Sequence, residues 1–338
     1  MFIPPVDVNL LITRSCNLRC RHCAVRMPAG GGFEMDIEGI RKVLDELQRN
    51  RVLRLVVTGG EPLNRPDFPL IWREIYSRPF RVSLNTNGTL LTEQNIELVL
   101  EAAPRLGTIM ISLDGCDEAT VDGLRGEGTF ARVDAALKRL RARGARPGFY
   151  CVVSRLNHHR LESIADYASR YGNWIKFNPI VDSGPGVPRE LLLEPSELAA
   201  LAEELSALKA RSDISIEGVL ANIPKVIDGS EPGRWPSFAC GAAKSRMAVF
   251  PDGTVSPCDY FPDIGLGNLL EQSLEDILTG PAAAAVRETV EHALEGVDEC
   301  RDCSYRDRCP AGCPVYALLK NRDDIRDPQA CPRLLLDE

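Results

Sequence analysis

Three cysteines stand within eight residues near the start of the chain, in the order Cys16-Asn-Leu-Arg-Cys20-Arg-His22-Cys23. Cysteines at spacings of three and two can wrap one corner of a four-iron cubane. Such a cluster asks for four ligands, so one iron is left open. An electron carrier would close that position with a fourth cysteine, whereas an open metal position is where a substrate or cofactor binds. The same residues also admit a zinc site of three thiols and His22, with ring and sulfurs crowded at adjacent positions. A second set lies far downstream. Cys240, Cys258, Cys300, Cys303, Cys309, Cys313 and Cys331 make up seven of the twelve cysteines. The central four of these, taken alone, would suit a zinc knuckle. Cys116 and Cys151 stand apart.

Metal ligation is preferred over a disulfide framework because nothing marks the chain for export. It opens Met1-Phe2-Ile3-Pro4-Pro5, with neither a basic nor an apolar signal region. No stretch approaches about 18 uninterrupted apolar residues, so no membrane span and a cytoplasmic location are expected. The 338 residues carry 40 basic and 48 acidic side chains, a net charge of −8. No basic run invites nucleic acid, and the acidic balance reads as ordinary solubility.

The cysteine triplet must be positioned by what surrounds it. Short apolar runs, Val8–Thr13, Leu53–Thr58, Arg81–Asn85, Thr108–Leu113, Phe149–Val153 and Trp174–Phe177, read as buried parallel strands. Between them come stretches of helical period. Ile37, Ile40, Val43, Leu44 and Leu47 share one face, with Asp36 placed to cap the helix. Phe130, Val133, Leu137 and Leu140 repeat the pattern, as do Leu161, Ile164, Ala165 and Ala168. Strand and helix alternating six times predict an α/β fold, a parallel sheet with helices outside, open or closed into a partial barrel. The triplet then falls in the loop after the first strand, at the edge where parallel α/β folds keep their active sites.

A Gly/Pro-rich stretch at 182–188 ends this region, so the first domain is read as 1–185. Residues 186–234 form a helical connection, with Leu198, Leu201, Leu205 and Leu208 on one face. Residues 235–338 form a cysteine-rich domain. Its strand period survives only at a hairpin around Pro251-Asp252-Gly253, between Met247–Phe250 and Thr254–Ser256. So few apolar strands suggest a region that leans on its metal to fold.

The triplet resembles that of the radical S-adenosylmethionine (SAM) superfamily, C-x3-C-x-Φ-C, with His22 at the usually aromatic Φ position. The resemblance continues downstream in order. Gly59-Gly60-Glu61-Pro62 is similar to the family's GGEP motif, which holds the SAM amino group. Asn85-Thr86-Asn87-Gly88 follows the third strand. Ser112-Leu113-Asp114-Gly115 ends the fourth, where the family contacts the ribose and carboxylate of SAM. Arg125 sits where relatives place a carboxylate-pairing arginine. The glycine pair has a physical reason, since backbone must approach the ligand closely. The C-terminal cysteines resemble the seven-cysteine SPASM pattern, so the resemblance covers nearly the whole chain.

The resemblance implies a partial (β/α)6 radical SAM barrel with a SPASM extension, SAM as cofactor and three [4Fe-4S] clusters. Cys16, Cys20 and Cys23 would hold the SAM-binding cluster, whose reduction releases a 5′-deoxyadenosyl radical. Cys300, Cys303, Cys309 and Cys331 would close one auxiliary cluster. Cys240, Cys258 and Cys313 would hold the other, with no fourth cysteine at 233–238. Asp259, in Pro-Cys-Asp-Tyr, is similarly placed to the proton acceptor of anaerobic sulfatase-maturating enzymes; it reads equally as a turn residue bonding backbone. Cys116 is a candidate hydrogen donor of the kind epimerases of this superfamily need, and Cys151 a packed thiol. His158, His159 and His292 lack metal spacing.

The implied function is oxidative modification of a peptide or protein side chain after hydrogen abstraction. Its rivals are dehydrogenation or epimerisation of an aminocyclitol or sugar, and a tetrapyrrole side-chain reaction. A flavodoxin or ferredoxin-type protein would supply electrons. The first strand begins near residue 7, so any leader peptide is expected to need a separate binding protein.

Overall fold

Six short runs rich in branched residues become six strands, each within two residues of its expected bounds. They are β1 (Asp7–Leu11), β2 (Arg54–Thr58), β3 (Arg81–Thr86), β4 (Leu106–Ser112), β5 (Gly148–Val153) and β6 (Trp174–Pro179). The computed structural model describes residues 4–23, 32–180, 187–218, 220–222, 240–261, 263–291 and 298–304. The four helices read from periodicity are present. α1 (Ile37–Arg49) begins at Asp36, whose carboxylate accepts the Gly39 N–H at 2.9 Å. Three further helices, α2 (Phe68–Tyr76), α3 (Glu93–Leu100) and α4 (Glu118–Arg125), not among those expected, precede α5 (Thr129–Ala142), α6 (Leu161–Ser169) and α7 (Pro195–Arg211). Thr92 and Asp117 cap α3 and α4.

Among the described residues all the strands join one ten-stranded sheet, and its flanks hold the main departure from expectation. β7 (Ser215–Glu217) extends the sheet beyond β6, inside the stretch read as a helical connection. The expected hairpin forms from β8 (Arg246–Val249) and β9 (Thr254–Ser256), turning through Gly253 at φ +83°. β8 then adds parallel to β1, pairing Asp7 with Arg246 and Leu10 with Val249. With β10 (Gly267–Asn268) at the edge, the order is β10-β9-β8-β1-β2-β3-β4-β5-β6-β7. The six-strand partial barrel is therefore present, flanked on both sides.

The described residues between 240 and 291 carry more apolar core than their few strands suggest. Beyond β10 come α8 (Leu274–Thr279), α9 (Pro281–Glu291) and α10 (Asp298–Arg301). Met247, Val249, Val255, Phe261, Leu266, Leu269, Leu274, Ile277, Leu278, Ala283 and Val286 lie in the same buried cluster as Val8, Leu10, Leu44 and Val57. The sequence is poor in strands there, but not in apolar residues on loops and short helices. Among the described residues no helix is long and apolar enough to cross a membrane.

Candidate functional site

β1 ends in the cysteine loop, and the end of β2 is laced to it. The Gly60 N–H donates to Thr13 O at 2.9 Å and the Glu61 N–H to Ser15 O at 2.8 Å. A Cβ on Gly59, at φ +144°, would stand 2.5 Å from Thr13 O, and one on Gly60 2.2 Å from Ser15 O. The glycine pair is thus demanded by the chain's own backbone: β2 could not dock on the cysteine loop with any side chain there. This demand stands beside the one expected from a close ligand. On the other flank, Arg14 reaches Asp252 in the β8–β9 turn at 2.6 Å, and the Met35 N–H donates to Pro251 O at 2.7 Å.

Buried carboxylates brace the loop. Glu61 is fully buried and accepts from Thr86 Oγ1 at 2.8 Å, Asn87 N at 2.7 Å and Leu63 N at 3.2 Å. Burial pushes its carboxyl up to about 7, against those hydrogen bonds. Asn87 in turn holds Asn17 Oδ1 at 2.9 Å and stands 3.9 Å from Cys16 Sγ. Asp114 is also fully buried. It accepts from Arg125 Nε at 2.6 Å and Val152 N at 2.9 Å, and His22 Nε2 lies 3.3 Å away. Burial works against its charge, yet Arg125 holds it below the usual carboxylate range. Burial drives His22 down to about 4, so the ring is neutral and Arg125 is the cation that keeps Asp114 ionised. Arg125 Nη1 also stands 3.9 Å from Cys20 Sγ. Arg125, expected to pair a carboxylate, is engaged with that of Asp114.

These residues fit a bound cluster better than a single ion. Cys16, Cys20 and Cys23 share one loop and act on each other electrostatically. Burial raises the Cys16 thiol and lifts Cys20 to about 11, so ligation must displace protons. Among the described residues no three His, Cys, Asp or Glu side chains converge on one ion. A cubane holds its thiolates at separate corners and asks for no such convergence. The zinc alternative would need His22 and the thiols gathered on one ion, and no such group forms among the described residues; His22 Nε2 faces Asp114 instead. Its Nδ1 is buried without a partner, an orphaned acceptor of the kind a site completed by a bound group leaves.

The loop after β9 carries the second candidate centre. Cys258 and Cys240 are partly buried against the main core, and the Cys258 thiol donates to Asp259 Oδ1 at 3.4 Å. This loop crosses to the sheet's inner face, where Tyr260 Oη lies 3.2 Å from Tyr150 Oη on β5. Asn178 on β6 donates to the same phenol at 2.5 Å. Asp259 is thereby brought next to residues of β5 and β6.

Residues 10–168 match the family model of the radical SAM superfamily, and residues 240–304 match SPASM, an iron–sulfur cluster-binding domain. A protein of Archaeoglobus fulgidus without a described activity is 30% identical over 94% of this chain and 76% of its own length. The chain belongs to the radical SAM superfamily. The PqqA peptide cyclase of Ruegeria pomeroyi is 27% identical over 98% of this chain and 89% of its own. Streptococcus suis SuiB bound to S-adenosylmethionine, at 16% identity, superposes with TM-score 0.80 over 97% of this chain and 77% of its own.

A radical SAM/SPASM chain binds SAM and iron–sulfur clusters, and its remaining candidates fall as follows. Ser112 ends β4 on the inner face, in register with Tyr150. Cys300 is buried and Cys303 half-buried, at and just beyond α10; Cys309, Cys313 and Cys331, with His292, lie outside the described residues. Cys151 is fully buried in the core, as expected. Cys116 is held elsewhere, 3.8 Å from Arg160 Nη2 and 4.0 Å from the Asp117 carboxylate at the start of α4. Sequence reasoning missed Tyr150, Lys176, Asn178 and Tyr260. The signal was available: Lys176 and Asn178 interrupt, at period two, a strand that a doubly covered sheet would keep apolar.

Proposed function

We propose that this radical SAM enzyme is an oxidoreductase that oxidises a peptide or protein side chain, with Asp259 taking the proton the substrate loses. The observation that carries the proposal is the crossing of the Cys258-Asp259-Tyr260 segment to the inner face, where Tyr260 meets Tyr150. A relative named for a peptide substrate, the PqqA cyclase, aligns over nearly the whole chain and supports the substrate class.

In this reading Cys16, Cys20 and Cys23 hold the SAM-binding cluster. Cys240, Cys258 and Cys313 hold one auxiliary cluster, and Cys300, Cys303, Cys309 and Cys331 the other. When bound, these groups and SAM supply a hydrogen-abstracting carbon radical at one centre and an electron acceptor at the other. The chain's own residues do the rest. Gly59, Gly60 and Glu61 fix the cysteine loop against β2, while Asn87 and Ser112 line the edge where SAM would lie. Arg125 keeps Asp114 ionised beneath His22. Loss of a hydrogen atom and then an electron leaves the substrate one proton to shed, and the Asp259 carboxylate is the base beside it. A flavodoxin or ferredoxin-type donor would deliver electrons. The domains are read as 1–185, 186–234 and 235–338, sharing one sheet.

Asp259→Asn keeps the shape of the side chain and removes the base. The variant is expected to form 5′-deoxyadenosine while oxidised product falls roughly 10²–10⁴-fold, measured together by mass spectrometry. Product formation equal to wild type would place the base elsewhere. Loss of 5′-deoxyadenosine along with product would make Asp259 structural.

A further inference from the structure

The inner face carries polar groups that the reaction above does not use. On β6, Ile175 and Phe177 lie in the core, so Lys176 and Asn178 alternate onto the opposite face. The register sets Lys176 beside Tyr150 on β5 and Glu217 on β7. Lys176 Nζ stands 5.8 Å from the centre of the Tyr150 ring. Among the described residues no carboxylate lies within ion-pair distance of it. Asn178 gives its amino group to Tyr150 Oη, and its Oδ1 is buried without a partner. Turning the amide over would orphan the amino group instead, so one polar atom stays unsatisfied either way. A half-buried cation with no carboxylate in direct contact among the described residues, beside an unsatisfied amide, carries a desolvation cost that a bound anion would offset.

We propose that Lys176, with Asn178 and Tyr150, forms a subsite for a carboxylate of the substrate, seating it beside Asp259. The proposal rests on the reading of the inner face as the chamber of a peptide-modifying enzyme. The charge balance selects a singly charged group. Asp259 and Glu217 act on Lys176 from either side, and burial with Arg246 lowers its pKa. One lysine among acidic neighbours suits a carboxylate and would oppose a doubly charged phosphate. In a peptide, that carboxylate belongs either to an Asp or Glu side chain or to the C-terminus.

Equilibrium dialysis of the reconstituted, SAM-loaded enzyme against three short probes tests this. The probes are acetyl-Gly-Glu-Gly-amide, acetyl-Gly-Gln-Gly-amide and acetyl-Gly-Gly-Gly with a free carboxylate. One carboxylate probe is expected to bind about 10–100-fold more tightly than the Gln probe, the worth of one charged hydrogen bond. Whether it is the Glu or the free-terminus probe identifies the source. Lys176→Met should abolish the preference and Lys176→Arg retain part of it, with iron content and circular dichroism confirming folded protein. Lys176→Gln replaces the Met variant should that one not fold. Carboxylate probes that bind no better than the Gln probe, or not at all at millimolar concentration, overturn the subsite, as does a preference that survives Lys176→Met. Wild-type protein that forms no 5′-deoxyadenosine sinks the underlying function; wild type that forms it without discriminating the probes sinks the subsite alone.

Discussion

The loops after β1 and β9 each set cysteine beside acid, and the fold holds them by different means. Beneath Cys16, Cys20 and Cys23 lie Glu61 and Asp114, both fully buried and each saturated with hydrogen bonds from neighbouring strands and loops. Around Cys258 the support is apolar: Phe261 and Leu266 enter the core, and Ser256 Oγ ties the turn by donating to Phe261 O at 2.6 Å. Buried polar networks are costly to desolvate, but they tolerate few alternative geometries. Apolar packing contributes stability with looser directional demands. The first loop must hold three thiols in register and leave one coordination position free, so directional bonds suit it. The second rides on a sheet extension and a shared core.

The comparison is broken most completely at the first loop. Replacing Cys16, Cys20 and Cys23 together with Ala should take reconstituted protein from about twelve irons to about eight and abolish SAM cleavage. Iron analysis and 5′-deoxyadenosine assay check it, and retained cleavage would refute the assignment of that loop. Next in size is Arg125→Met, which leaves Asp114 buried without its cation. A loss of about 3–5 kcal/mol in urea unfolding is expected, with partial recovery when Asp114→Asn is added, since the uncompensated charge is then gone.

Ile277→Ala probes the other region, at a site only 1% exposed in the common core. It should cost about 2–5 kcal/mol and shift a single cooperative transition. A separate early transition, with the barrel's own melting unmoved, would show that the C-terminal region folds apart. The smallest effect is sought at His22. Its folded value, about 4, lies below the ordinary 6.5, so the unfolded chain binds protons first as pH falls through that window and stability declines. In metal-free protein His22→Phe should remove this decline, which is at most about 3 kcal/mol at ~1.36 kcal/mol per unit. Glu61 has the opposite sign, its contribution present below about 4.5 and lost as pH rises through about 7. It is common to both proteins and cancels. Equal slopes between pH 7 and 4 would mean that His22 is solvated.

The sequence by itself determined the cysteine triplet, the six short strands and the motifs that end them. These are written in local spacing and period, which a single chain displays directly: Asp36 caps α1 and Gly253 turns the hairpin where the residue pattern says they must. Only the tertiary structure decided what those motif residues touch. Gly59 and Gly60 answer to the backbone of Thr13 and Ser15, and Arg125 answers to Asp114. β8 adds beside β1 across more than two hundred residues of chain, and Tyr260 finds Tyr150 over a separation of 110. Nothing local encodes such contacts. They arise because a parallel edge strand needs a partner for its hydrogen bonds and a buried charge needs its counter-ion, and both demands are met by whatever the fold brings near.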